Sequence, residues 1–386
     1  MEKMNSTCRD VVVWTPPADM PSRAIDMPAA PTLRGPTLGD IARQYQTDPL
    51  STFHKLRFHV RRNHEGLLRR IIARHGTTPL PEITGRTLVA WHAEWAADGK
   101  VAMGHAFTSQ IRTLFGFGFT LLADRECERL CLVLNKMRFE TAPSRVDRLT
   151  AEQVEAVRMW AHIVGWHSIA LAQAFQFELM LRQKDVIGEW VPKSEPGASD
   201  VVWHGQKWLR GIRWSEISDD LILTHTTSKR QKAVVVDLKL APMVMEELEF
   251  LDEMPDDEPV ILCESTCMPY ATPEFRRKWR IVANYAGIPD NVRNMDSRSG
   301  AISEAFAAGV KGERIQKSAT HSDIGMTLKY NRGDAMAASS EVQLGRVAAR
   351  HSALRGDESR DARWHRVAES ISKATSTNRR ASKGAR

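Results

Sequence analysis

Apolar residues along this chain recur first at helical and then at strand spacing. Over residues 37–140 the period is that of a helix, and Phe53, Leu56, Val60, Leu67 and Ile71 share one face of a segment spanning 53–74. Further helices are predicted at 84–98, 102–121 and 125–138, with Gly85 and a turn at 97–101 dividing some of them. Residues 143–149 break the pattern and read as a linker. Thr150 then opens a helix, and Gln153 three positions on completes a capping box. Helices follow over 151–165 and 168–183. Short alternating runs at 186–191, 207–214, 221–225 and 233–238 predict strands, separated by Gly, Ser, Asp and Lys turns. Helices return at 242–252, 273–286, 299–308, 312–319 and 323–331. The sum is an all-α domain over 36–142, then an α+β domain over 150–340 that is mostly helical with a small antiparallel sheet.

The two ends have another texture. Residues 1–35 carry Pro16, Pro17, Pro21, Pro28 and Pro31 among small residues, and read as a poorly ordered leader. Residues 341–386 hold eleven Lys or Arg against five acids, which supplies +6 of the chain's net +7 and reads as a basic, partly disordered tail. The 386 residues are 42% hydrophobic, enough for real cores, and the pI of about 9.2 points to a polyanionic partner, nucleic acid being the commonest. No run of ~18 apolar residues predicts a membrane span, and no secretory signal is expected at the N-terminus. Cys8, Cys127, Cys131, Cys263 and Cys267 form two loosely spaced pairs and one single residue. Without histidines to complete a ligand set they read as reduced cytoplasmic thiols rather than a zinc site.

Charge is uneven within the helical region. The 53–74 segment carries Lys55, Arg57, Arg61, Arg62, Arg69, Arg70 and Arg74 against one acid, Glu65. Such a face can lie on DNA phosphates or simply be solvated; Arg57, Arg61, Arg62, Arg69 and Arg70 are the candidate DNA contacts. The candidate chemistry lies later. Arg298 opens an Ala-rich helix with Ala301, Ala305 and Ala308. Gly309 and Gly312 bracket a turn, Thr320-His321-Ser322 follows, and Tyr330 ends the next helix nine residues after His321. Arg298 stands 23 residues before His321. Upstream, Arg182 follows an apolar helix and precedes the first strand, with Asp185 three residues on. Lys229 lies in a Thr/Ser-Lys hairpin ahead of a β-branched strand. A lone tyrosine near a helix end is ordinarily structural; the order of the set gives this one meaning.

That ordered set resembles the catalytic domain of the tyrosine recombinase (phage integrase) family. The match runs over 182–330, whereas 37–140 resembles the family's core-binding domain only in size, helicity and charge. The resemblance implies a site-specific recombinase or integrase. Tyr330 would cut DNA to a 3′-phosphotyrosyl intermediate, Arg182 and Arg298 would bind the phosphate, His321 would assist and Lys229 would protonate the leaving oxygen. It also implies no cofactor and no catalytic metal, in keeping with the lack of a nucleotide-binding GxxxxGK[ST] loop. Its partners would be double-stranded DNA and three further copies in a homotetramer on paired sites, passing through a Holliday junction with accessory DNA-bending proteins at the nucleoid. One position departs from the family pattern. Where a His-x-x-Arg box is usual, the residues are Met295, Asp296, Ser297 and Arg298. Either that histidine is dispensable, or a neighbour such as Asn294 substitutes, or activity is reduced. Two other functions stay open: a catalytically impaired DNA-binding regulator on the same fold, and a type IB topoisomerase-like strand-passing enzyme. His225 and the tryptophans Trp203, Trp208 and Trp214 read as structural, and Tyr270 and Tyr285 stand near no His-Ser box.

Overall fold

The structure, a computed structural model, describes residues 35–251, 257–331, 339, 342–349 and 369. The leader expected over 1–35 lies outside these residues except for Gly35, and so does most of the tail expected over 341–386. The chain divides between Pro143 and Ser144 into two compact units.

The first unit is all helical among its described residues: α1 (Leu38–Thr47), α2 (Phe58–His75), α3 (Gly85–Ala96), α4 (Val101–Leu122) and α5 (Arg125–Lys136). Thr37 caps α1 in a reciprocal box with Asp40, Thr84 caps α3 with Thr87, and Asp124 caps α5. The most apolar of these helices, α4, is central: its Phe107, Ile111, Leu114, Phe115 and Phe117 are buried against the other four. The helix expected from residue 53 starts later. Thr52–Lys55 forms a single 3₁₀ turn capped by Ser51, Leu56 and Arg57 are extended, and α2 begins at Phe58.

The second unit is built around α7 (His167–Glu178). Residues 168–177 of this helix are all buried, which is what a helix apolar on every side requires. Packed on it are α6 (Ala151–Ile163), opened by the expected Thr150–Gln153 box, α9 (Pro242–Leu248), α10 (Thr272–Tyr285) and α11 (Ser297–Ala307). Between α7 and α9 lie α8 (Gln183–Ile187) and five short strands: β1 (Glu189–Pro192), β2 (Val202–Trp203), β3 (Gln206–Leu209), β4 (Ile222–Thr226) and β5 (Ala233–Asp237). Strands β6 (Leu262–Cys263) and β7 (Met268–Pro269) precede α10, while α12 (Gly312–Ser318) and α13 (Ile324–Leu328) follow α11.

The strands make three separate antiparallel sheets rather than one: β1-β3-β2 with Trp190 opposite Trp208, the hairpin β4-β5 with His225 opposite Val234, and β6-β7. Residues 186–187, expected in a strand, belong to α8. The helix expected over 168–183 stops at Glu178, because Met180 takes a left-handed conformation with φ of 52°.

The expected linker has no regular structure, but residues 145–149 are anchored. The Arg145 guanidinium pairs with Asp296 at 2.6 Å, the Leu149 N–H donates to the Asp296 carbonyl, and Leu149 is fully buried. This strap runs so close to α11 that a Cβ at Gly300 would lie 1.9 Å from the Leu149 carbonyl oxygen. Gly300→Ala should therefore destabilise this unit by about 3 kcal/mol, as an overpacked core position does. Gly66→Ala, in α2 with open space around it, should be neutral or gain up to about 1 kcal/mol. Urea denaturation of both variants checks the contrast.

Candidate active site

Two left-handed residues shape the site. Met180 ends α7 and turns its carbonyl out of the helix; Thr320, with φ of 53°, does the same work after α12. A non-glycine residue in this conformation costs roughly 1–2 kcal/mol. The carbonyls beside these turns are used: the Arg298 guanidinium, in the first turn of α11, donates from Nη1 to the Met180 carbonyl and from Nη2 to the Ala319 carbonyl. Arg298 is only 8% exposed, and no carboxylate among the described residues lies within 4 Å of it. Burial first, and the nearby charge of Arg182 second, bring its pKa down to about 10, so it is still a cation at neutral pH.

Arg182 caps α8 in extended conformation. Its Nη1 is buried without a hydrogen-bond partner, 3.7 Å from the Asp185 carboxylate. A buried charged donor left unsatisfied is costly and calls for an acceptor. Asp185 is completely buried. One carboxylate oxygen accepts from the Arg182 backbone N–H at 3.3 Å, and the other accepts from the Ser228 N–H at 2.7 Å. Asp185 thus fastens the β4-β5 turn to the element that carries Arg182.

That turn, residues 227–232, is closed by Thr227, which exchanges backbone and side-chain hydrogen bonds with Lys232. Lys229 is exposed in the turn. Lys232 is the lysine that reaches the other candidate residues: its Nζ donates to the His321 carbonyl at 3.3 Å. Two lysines three apart in Ser-Lys-Arg-Gln-Lys gave the sequence no means of choosing between them, since the choice depends on where the turn closes.

His321 is buried, its Nδ1 2.9 Å from the Thr327 hydroxyl, and its ring is stacked on Tyr330 with centroids 5.8 Å apart and planes 17° from parallel. Burial and the charges of Arg298, Arg182 and Lys232 push its pKa down to about 4, so at neutral pH it is an uncharged imidazole. Tyr330 follows α13, packs on the small core of Ile302, Ile315 and Ala319, and its carbonyl accepts from the Ser303 hydroxyl at 3.2 Å. Arg182, Arg298, His321, Tyr330, Asp185 and the β4-β5 turn therefore converge.

Other residues fall elsewhere. Met295 is exposed on a 3₁₀ turn, Asn294–Asp296, ahead of α11, and Asn294 is buried with its amide toward Gln173. His225 is buried against the Glu216 carboxylate. Trp208 donates to the Ile187 carbonyl, Trp214 lies in the core and Trp203 is partly exposed on β2. Tyr270 is buried, with its hydroxyl on Ser168 and Glu264, and Tyr285 stacks on Trp160. Cys127, Cys131, Cys263 and Cys267 are free thiols, Cys8 lies outside the described residues, and no metal-holding group of His, Cys, Asp and Glu occurs among the described residues. In the first unit, Arg62 and Arg69 of α2 are exposed, Arg57 caps the helix and Arg61 donates to the Leu56 carbonyl. Arg70 and Arg74 both sit 5.0 Å from the Trp95 ring, committed to a local stack. No described helix is long and apolar enough to cross a membrane.

By sequence the chain matches no family model and no curated protein. By structure it matches a lambda integrase dimer bound to a COC′ core site, with a TM-score of 0.58 and 16% identity over 77% of this chain and 78% of that one. A lambda integrase tetramer bound to a Holliday junction matches equally, at 0.58 and 16% over 76% and 79%. The Tn1549 transposon integrase in complex with circular intermediate DNA matches at 0.52 and 11% over 80% and 99%. The fold is that of the tyrosine recombinases. Within this fold the converging residues include Arg182, Arg298, His321 and Tyr330 of the ordered sequence set, with Lys232 from the β4-β5 turn.

The depressed His321 pKa has a pH consequence. As pH falls, the unfolded chain takes up this proton near the ordinary value of about 6.5, and the folded chain only near 4. The stability contributed by neutral His321 is full above about 6.5 and is lost progressively down to about 4. Urea denaturation at pH 7.5 and pH 4.5 should show His321→Gln losing about 2 kcal/mol less than the wild type between the two; equal losses would refute the assignment.

Proposed function

We propose that this protein is a site-specific DNA recombinase that cuts and rejoins DNA strands through Tyr330. The observation that carries the reading is the pair Arg298 and Arg182, one buried on backbone carbonyls and the other with an unpartnered buried N–H, set beside a tyrosine stacked on a neutral imidazole. Two guanidiniums suit a phosphodiester, because each offers paired N–H groups to its non-bridging oxygens. Charge that builds on those oxygens during attack is what preorganised donors stabilise, and removing one costs ~2.7–4 kcal/mol of barrier.

The step balances as follows. The Tyr330 hydroxyl oxygen attacks phosphorus, forming the phosphotyrosyl bond as the P–O5′ bond breaks. The tyrosine proton passes to His321, whose Nε2 is left for it while Nδ1 is engaged by Thr327. The departing 5′-oxygen takes a proton from the β4-β5 turn, and the reach of Lys232 to the His321 carbonyl favours it over Lys229 for that role. Rejoining reverses the step with the 5′-hydroxyl of a second strand, and the bond energy is conserved in the phosphotyrosyl link. Solved neighbours of the same fold hold a COC′ core site, a Holliday junction or circular intermediate DNA. Together with the exposed arginines of α2 they support double-stranded DNA as the partner. By the same reading the working form is a homotetramer on paired sites at the nucleoid.

Nicked suicide duplexes, drawn as a pool from genomic DNA, test both assignments. Wild type should leave a denaturation-resistant protein–DNA adduct and Tyr330→Phe none. Lys232→Ala should lower adduct formation at least 100-fold, and a bridging sulfur at the 5′ position, which leaves without a proton, should restore it. Lys229→Ala should cleave like the wild type. The reverse pattern, with Lys229→Ala impaired and rescued by sulfur, would move the role back to Lys229; equal trapping by wild type and Tyr330→Phe would end the recombinase reading.

A further inference from the structure

Beside the two arginines of the candidate site lies a cleft of about 290 Å³ lined by Gln183, Arg276, Arg293, Asn294 and Met295, with Arg280, its partner Asp290 and Trp279 at its wall. Its position follows from the chain: Gln183 succeeds Arg182, and Met295 stands three residues before Arg298. Arg280 is already satisfied by Asp290 and the carbonyls of Pro289 and Val292, over the Trp279 ring. The guanidiniums of Arg276 and Arg293 have no carboxylate within 4 Å among the described residues; the Arg293 backbone N–H donates to Asp296. Arg276 is aimed by Gln183, whose Oε1 accepts from its Nε at 3.1 Å. Gln183 is itself only 7% exposed, and its Nε2, a donor, is buried without a partner. Asn294, only 4% exposed, lines the same cleft, and its Oδ1 is buried without a partner. Met295, more than half exposed, offers only a weakly accepting thioether.

Two guanidiniums and an unsatisfied buried amide donor make a site for a tetrahedral anion, not for a base or a cation. We propose that this cleft is a second phosphate subsite, taking the DNA backbone phosphate next to the one gripped by Arg182 and Arg298. The proposal rests on the DNA-cleaving reading above. Arg276 and Arg293 clamp the neighbouring phosphate and Gln183 donates to it from Nε2. The strand is then held on both sides of the Met295 position, fixing its register before Tyr330 attacks. That supplies from the flank the N–H donors which a thioether at position 295 cannot give.

The test uses the full-length protein and a random-sequence 30-base-pair duplex, with Kd measured by fluorescence anisotropy across a salt series. One phosphate contact contributes about 0.9 to the slope of log K against log salt. The double variant Arg276→Gln, Arg293→Gln should therefore bind with a slope shallower by about one and a Kd weaker by roughly tenfold. Arg276→Lys with Arg293→Lys should keep both close to wild type, because a point charge still neutralises a phosphate. Both arginines are exposed, so melting temperatures should not change. An unchanged slope in the glutamine variant overturns the subsite, as does a weakening that lysine fails to rescue or that accompanies a lowered melting temperature. If the glutamine variant keeps the wild-type slope yet wild type still traps covalent adduct, only the subsite falls. If wild type itself shows neither salt-dependent binding nor adduct, the recombinase reading falls with it.

Discussion

The second unit depends on a buried cation. Arg298 is buried with no carboxylate within 4 Å among the described residues, and two main-chain carbonyls hold it in place. Carbonyl dipoles orient a guanidinium without cancelling its charge, so the fold keeps a positive charge in a poorly solvated place with Arg182 near it. Such an arrangement favours an anion that spans both. The same requirement explains two backbone choices that would otherwise be unfavourable. Met180 and Thr320 are left-handed although neither is glycine, and each adjoins a carbonyl that Arg298 needs. The break at Met180 also frees Arg182 from α7, and the turn at Thr320 sets His321 against Tyr330. One ion therefore accounts for why α7 ends early, why α12 stops where it does and why the tyrosine is where it is.

The electrostatics divide the labour. Burial beside three cations keeps His321 neutral at neutral pH, so its ring adds no positive charge to the site. Asp185 has a structural part. It is a fully buried brace between Arg182 and the β4-β5 turn, so the arginine and the turn that carries Lys232 are held by one carboxylate.

Much of this was legible in the sequence. Period located most helices within a few residues, and the Thr150 box located the start of α6, because both are local signals. The order of Arg182, Arg298, His321 and Tyr330 named residues that do converge. What was not legible depended on contacts between distant segments. The early end of α7 is imposed by Arg298, 118 residues away in sequence from the Met180 carbonyl it binds. The anchoring of 145–149 depends on Asp296 and the absence of a side chain at Gly300. That Lys232 reaches the His321 carbonyl depends on the turn closing on Thr227. The cleft at Arg276 joins α8, α10 and the turn before α11, three segments with no common motif.

The central claim is that Tyr330 becomes covalently joined to DNA, and peptide mapping measures this most directly. The protein would be incubated with sheared genomic DNA of its own organism, denatured, digested with nuclease and protease, and examined by mass spectrometry for a nucleotide-modified peptide. The account predicts one modified peptide, containing Tyr330, with the nucleotide attached through its 3′-phosphate. A nucleotide on Tyr270, Tyr285 or any other residue, or none under conditions where the protein binds DNA, would contradict it.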